Sequence, residues 1–292
     1  MLLSPAPAPP EGQGWAHEAK LDGWRCLAEV TGGQLRLWSR GGRDWTDRVP
    51  ELQPLSDVGD IVLDGELVVA TSDGRADFEL LGARMQDRRP HPSPQVNLYV
   101  FDVLRLRNEE LVDRPWETRR TVLDGLDLAA RTAGAARPTV WSTDGTAMHQ
   151  ATAAIGAEGT VSKRRRSPYR AGRSRAWLKA KHKITETLAV AGWRPSTSSR
   201  PGGLILAEDG EPIGVATLAL PDQQRRALVE LIERYGRRHP TGTVTIPENS
   251  ISATVHYSCR TPTHGHLREA FAVAVHPVAG ADEMPPRTEI LT

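Results

Sequence analysis

The apolar residues of this chain fall in short alternating runs that stop at glycine, which leaves room for few long helices. "CLAEVTGGQLRLWSR", residues 26–40, reads as two strands around Gly32-Gly33, the residue pair a tight hairpin turn needs. "DIVLDGELVVA", residues 60–70, is an apolar strand whose Gly65 permits a bulge or a close backbone approach. "VNLYVFDVLRL", residues 96–106, is another; alternation puts Val100, Asp102 and Leu104 on the face opposite Phe101 and Val103. Helical patches lie between the strands: "ADFELLGARM", then "WETRRTVLDGLDLAA" after Pro115, and a short helix over 147–156. Strands mixed with helices in this order predict an α+β domain.

Beyond "WLKAKH" the pattern changes, which sets a boundary near residue 184 and two domains, 1–183 and 184–292. The second part offers "ETLAVAGW", "GGLILAED", "PIGVATLAL", "GTVTIP" and "ISATVHYS" as strands. One helix interrupts them, "PDQQRRALVELIERYG", with Pro221 at its start and Gly236 at its end. Short strands with one helix predict a small β-barrel, the OB-fold being one candidate. "RPSTSSRPGG", residues 194–203, is expected to be a mobile loop.

A chain of 292 residues can bury the cores of two such domains. Its net charge of +1 says little about partners, and no apolar run approaches the roughly 20 residues of a membrane span. The first 14 residues lack the basic start and apolar stretch of a signal peptide, and their prolines predict an extended lead-in. Cys26 and Cys259 form neither a disulfide framework nor a zinc pattern, which suits a reducing cytoplasm.

Charge is concentrated locally. Residues 163–183 hold ten Lys or Arg and no Asp or Glu. A basic run is ordinarily a solvated tail. Here Tyr169 and Trp177 interrupt it, and "AWLKAKH" alternates like a strand, so Lys179 and Lys181 share a face. Adjacent ammonium groups repel unless a polyanion lies over them.

"EAKLDGWR", residues 18–25, raises the question of whether Lys20 is a nucleophile. An ordinary lysine, with a pKa of about 10.4, is protonated at neutral pH and must be activated by burial or neighbouring cations. Lys179 and Lys181 could supply those cations, and a phosphoryl group would tolerate them. A magnesium ion would need a carboxylate, from Asp22, Glu66, Asp102 or Glu158. Phe101 and Val161 could sandwich a purine. Each residue also has a plainer meaning: Asp22-Gly23 and Asp64-Gly65 as turns, Phe101 as core, Glu158-Gly159 as a helix end.

Six motifs in order, "EAKLDGWR", "SRGGRDWT", "LDGELV", "YVFDV", "EGTVSKR" and "WLKAKH", resemble those of covalent nucleotidyltransferases, specifically ATP-dependent DNA ligases. "GWAHEAKLDGWR" and "KRRRSPYRAGRSRAWLKAKH" are similar to the small bacterial ligases of non-homologous end joining. The resemblance covers residues 14–183, and continues weakly through "VHYSCRTPTHGHLRE". It implies a nucleotidyltransferase (ATP-grasp-like) domain followed by a small OB-fold barrel. Lys20 would attack the α-phosphate of ATP and hold AMP as a phosphoramidate. Glu18, Arg25 and Glu66 would bind the nucleotide, the last two at the ribose, with Asp22 orienting ribose or a metal-bound water. Phe101 would stack on adenine with Val161 opposite. Lys163, Lys179 and Lys181 would contact phosphates, and Glu158 would assist a Mg2+ or Mn2+ ion. Arg40 would bind phosphate of AMP or DNA, and Arg164, Arg165, Arg166, Arg170, Arg173 and Arg175 would line the DNA. The implied partners are nicked or broken double-stranded DNA, and a Ku-like protein and a primase-polymerase, for a monomeric cytoplasmic enzyme.

One departure stands out. The family carries an Asp-Lys pair near the barrel's end, and "HLREAFAVAVHPVAGADEMPP" has none, with Arg268 or His276 as partial substitutes. Two other functions share parts of the pattern: an RNA ligase or capping-type nucleotidyltransferase, and a DNA-end-binding accessory impaired in self-adenylylation.

Overall fold

The computed structural model describes residues 1–72, 74–86, 94–198, 202–261 and 263–278. The chain divides into two compact units, Met1–His182 with Thr261–Thr263, and Lys183–Arg260 with His264–Thr292.

The first unit holds strands β1 (Leu2–Pro5), β2 (Trp15–Lys20), β3 (Trp24–Thr31), β4 (Gln34–Ser39) and β5 (Ile61–Val69), then helix α1 (Phe78–Gln86). It continues with β6 (Val96–Leu106), β7 (Glu109–Glu110), α2 (Trp116–Asp124), α3 (Leu128–Arg131), β8 (Ala136–Pro138) and β9 (Trp141–Ser142). Helix α4 (Gly145–Ala154) and strands β10 (Gly159–Arg164) and β11 (Arg173–Lys181) complete it. One sheet runs β1-β11-β10-β2-β9; the other runs β4-β3-β5-β6-β7, with β8 also paired to β6.

The β3–β4 hairpin turns at Gly32-Gly33, both at positive φ. β3 buries Cys26, Ala28 and Val30 and leaves the alternate residues more accessible. β6 departs from strict alternation. Register shifts opposite Val62/Leu63 and Asp64/Gly65 change its phase, so Val103 joins Val100 in the core. The helix expected over residues 116–130 is two helices, because Gly125 closes the first and Asp127 adopts φ +49° before the second. α4 begins two residues earlier than expected, where Asp144 accepts a hydrogen bond from the Ala147 N–H (2.9 Å) and caps the first turn. The lead-in is a strand: β1 pairs in parallel with β11.

The second unit comprises β12 (Ile184–Arg194), β13 (Gly203–Glu208), β14 (Glu211–Leu218), α5 (Asp222–Tyr235), β15 (Arg237–Arg238), β16 (Val244–Thr245), β17 (Ile251–Tyr257), β18 (Cys259–Arg260), β19 (Leu267–Arg268) and β20 (Phe271–Pro277). Five strands pair in a closed circuit, β12–β13–β14–β20–β17 and back to β12. The circuit surrounds a core that includes Val190, Leu204, Leu206, Ile251, Val255 and Ala272. Within the expected loop over 194–203, residues 199–201 lie outside the described residues. Among the described residues no helix is long and apolar enough to cross a membrane.

Candidate active site

The first sheet builds the site by register. Lys20 on β2 and Lys181 on β11 both pair with Gly159 on β10, one from each side. Glu18 and Lys179 likewise flank Val161, and Ala16 and Trp177 flank Lys163. Residues directly opposite across a sheet share a face, as do residues two apart along a strand. Lys20, Glu18, Val161, Lys163, Lys179, Lys181 and Trp177 therefore project from one face. The intervening rows, such as Ala19–Thr160–Ala180, project from the other.

Two glycines make the register possible. Gly159 has φ +154°, and a Cβ there would lie 2.2 Å from the Ala180 carbonyl oxygen. A Cβ on Gly23 would lie 2.2 Å from that of Leu67, so Asp22-Gly23 is a close approach to β5 rather than a plain turn.

A cavity opens over this face, lined by Met1, Leu3, Glu18, Lys20, Arg25, Glu66, Phe101, Thr139, Val161, Lys163 and Trp177, with Ala19 and Leu21. The second sheet contributes Arg25 and Glu66, which lie opposite one another on β3 and β5. Lys20 donates to the Glu158 carboxylate, which also pairs with Lys181 at 2.5 Å. Burial pushes the Glu66 carboxyl up to about 7, against the lowering pull of Lys20 and Arg25. Burial opposes the Arg25 charge as well, but its hydrogen bonds to Asp64 more than offset this and raise it above its ordinary value.

Several residues sit differently from the sequence expectation. Lys163 is 1% exposed and spends its ammonium on Glu18 (2.8 and 2.9 Å) and the Phe101 carbonyl (2.9 Å). The rings of Trp177 and Phe101 lie 4.4 and 4.7 Å from it. Those contacts commit it to the pocket wall rather than to a phosphate, and burial lowers its pKa. Glu18 also accepts from Thr139 (3.1 Å). Asp102 forms a buried two-pronged pair with Arg119 (2.6 and 2.8 Å). Glu158, expected at a metal ion, is held between two lysines. Among the described residues no group of three His, Cys, Asp or Glu side chains is arranged to hold a metal. The described residues therefore offer no ready-made cage of protein ligands, and a Mg2+ or Mn2+ ion would draw on one or two carboxylates, such as Glu158, together with substrate phosphates.

Asp22 is half-buried beside Glu66, and its charge helps raise that carboxyl. Arg40 is exposed after β4, outside the cavity lining. Arg164 stacks on Trp15 (4.4 Å), Arg165 pairs with Glu117 (3.1 Å), Arg170 with Asp113 (2.5 Å), and Arg173 donates to the Leu3 carbonyl (2.8 Å). Arg166 and Arg175 are exposed without an ion pair among the described residues. Arg268 lies on β19, and His276 on β20 bonds Thr254 (3.0 Å); the segment from residue 279 lies outside the described residues. Sequence reasoning missed Thr139, Met1 and Leu3, which carry no motif. It noted Asp64 and Tyr169 without assigning the contacts they make to Arg25.

The ATP dependent DNA ligase domain family matches residues 8–181. The chain belongs to this family. Over 194 residues the ligase domain is 37% identical to the multifunctional non-homologous end joining DNA repair protein LigD of Mycobacterium tuberculosis, covering 65% of this chain and 24% of that protein. Over 231 residues it is 33% identical to the multifunctional non-homologous end joining protein LigD of Pseudomonas aeruginosa, covering 77% and 26%. The chain thus spans about a quarter of the length of these relatives. The crystal structure of the ligase domain from M. tuberculosis LigD matches with a TM-score of 0.58 at 27% identity, over 98% of this chain and 97% of that one. A mycobacterial DNA ligase D complexed with ATP and MES matches with a TM-score of 0.55 at 28% identity, over 98% of both.

Proposed function

We propose that this ligase domain seals breaks in duplex DNA through a lysyl-AMP intermediate on Lys20. The observation that carries the reading is the row Lys20–Gly159–Lys181, closed by Glu158, at a cavity with an aromatic ring on its wall. Lys20 Nζ attacks the α-phosphorus of ATP, the bond to the β-phosphate oxygen breaks, and pyrophosphate leaves. Nζ sheds a proton, for which Glu158 is the acceptor at hand. Lys179 and Lys181 offset the charge that develops on the phosphate oxygens. Phe101 and Val161 hold the base, and Arg25 and Glu66 the ribose. AMP then passes to the 5′-phosphate of the break, and the 3′-hydroxyl displaces it.

Residues 1–183 are the adenylation domain in this reading, and 184–292 are an OB-fold barrel, which the closed five-strand circuit supports. Arg40 and the exposed arginines between residues 164 and 175 meet DNA phosphates. The resemblance to end-joining relatives, one of them named as a DNA repair protein, supports a role in DNA repair. The test is the mass of the intact chain after incubation with ATP or GTP. ATP should add one AMP, GTP nothing, and Lys20→Ala should abolish the adduct. An adduct that survives Lys20→Ala overturns the mechanism.

A further inference from the structure

The segment between β10 and β11 sends arginines outward and one ring inward. Arg164, Arg166 and Arg170 are exposed. Tyr169 instead packs edge-on against Trp177, with ring centroids 5.8 Å apart, and lies 5.9 Å from the Arg119 guanidinium. The backbone of the segment is anchored. The Tyr169 N–H donates to the Val112 carbonyl (2.7 Å), and at the head of α2 Trp116 and Glu117 donate to the carbonyls of Ser167 (2.9 Å) and Arg165 (3.0 Å).

The hydroxyl of Tyr169 meets two residues that line the cavity, Arg25 and Met1. It donates to Asp64 (2.8 Å) and accepts from Arg25 (3.0 Å) and from the Met1 ammonium (2.7 Å). A phenol has one proton and two acceptor positions, so its capacity is filled. Arg25 is equally committed. Its Nε and Nη2 donate to the fully buried Asp64 carboxylate (3.0 and 2.6 Å), Nη2 donates again to Tyr169, and Nη1 donates to the Met1 carbonyl. A guanidinium has five N–H donors. Among the described residues one Nη1 hydrogen of Arg25 is left uncommitted.

We propose that Tyr169 is a positioning residue for Arg25, fixing the guanidinium so that this last N–H meets the sugar hydroxyls of the nucleotide. Asp64 alone grips one edge of the guanidinium. Tyr169 occupies the second hydrogen of Nη2 and so removes the alternative in which Nη2 turns toward the ligand. The inference rests on the ribose role proposed for Arg25. It makes a tyrosine in the basic segment a determinant of sugar recognition.

Tyr169→Phe keeps the ring against Trp177 and deletes only the hydroxyl. Equilibrium binding of ATP and of 2′,3′-dideoxy-ATP is measured by calorimetry on the whole chain, in a Lys20→Ala background that blocks covalent chemistry. The Phe variant should bind ATP about three- to tenfold more weakly, the effect of one lost hydrogen bond. Its affinity for dideoxy-ATP should match that of the Tyr169 parent. An equal loss for both nucleotides would reveal a general packing role, and unchanged ATP binding would show that Asp64 suffices; either overturns the proposal. Arg25→Ala in the same background tests the reading beneath it. If that variant keeps the full preference for ATP over dideoxy-ATP, Arg25 does not read the sugar, and both the ribose assignment and the role of Tyr169 fall.

Discussion

Replacing Lys163 with methionine should be among the most damaging single changes in the ligase domain. Methionine is unbranched and flexible enough to fill the space between Phe101 and Trp177. It removes the charge and all three donors. Among the described residues, the Glu18 carboxylate, 2% exposed, is then left with the Thr139 hydroxyl at 3.1 Å as its remaining side-chain donor. Deleting one partner of a buried pair costs about 3–5 kcal/mol, because the other charge stays buried and uncompensated. Loss of the ammonium from two aromatic faces at 4.4 and 4.7 Å acts in the same direction. At about 1.4 kcal/mol per decade, the folded-to-unfolded ratio should fall by roughly two to three and a half orders of magnitude. Urea unfolding at pH 7 measures it as a lower midpoint with an unchanged slope. Glu18→Gln in the same chain removes the orphaned charge and should restore most of the loss. Completing the cycle with Glu18→Gln alone gives the coupling energy. A Lys163→Met variant as stable as the parent, or a double variant no better than the single, would refute the pairing as the reason Lys163 is buried.

Lys179→Ala and Lys181→Ala should each slow AMP loading about ten- to a hundredfold, as expected for removal of a charge-assisted hydrogen bond worth about 1.5–3 kcal/mol; parental rates measured by adduct formation would leave the cationic row without a role. Glu66 predicts a pH-dependent gain. Its folded carboxyl titrates at about 7 against 4.5 in its ordinary state, so the folded form binds the extra proton between those values and stability falls as pH rises across them. Glu66→Gln should therefore be nearly neutral near pH 4 and stabilising above pH 7, by on the order of 3 kcal/mol; a gain in urea stability that does not change with pH would contradict the burial argument. Neutralising Arg164, Arg166 and Arg175 together should flatten the dependence of log affinity for nicked duplex on log salt, by up to about 0.9 for each phosphate that is no longer neutralised; an unchanged slope moves the DNA surface elsewhere.

What the sequence alone settles here is local. Alternation along "AWLKAKH" already places Lys179 and Lys181 on one face, because the period of a strand is a property of consecutive residues. The hairpin at Gly32-Gly33 and the helix over Asp222–Tyr235 are legible for the same reason. The bulges in β6 are not, since they arise where its partner β5 shifts register. Nor do eight residues around Lys20 decide what that lysine is. Its carboxylate partner lies 138 positions away, brought to it when β2 and β10 pair at Gly159. Lys163 opens a basic run that composition reads as solvated, yet the strand turns it inward onto Glu18, 145 positions away, while the arginines that follow face water or surface partners. Asp102 looks like a ligand in "YVFDV" until Arg119 is folded against it. A charged side chain takes its role from the charges within a few ångströms, and only the tertiary register brings those together.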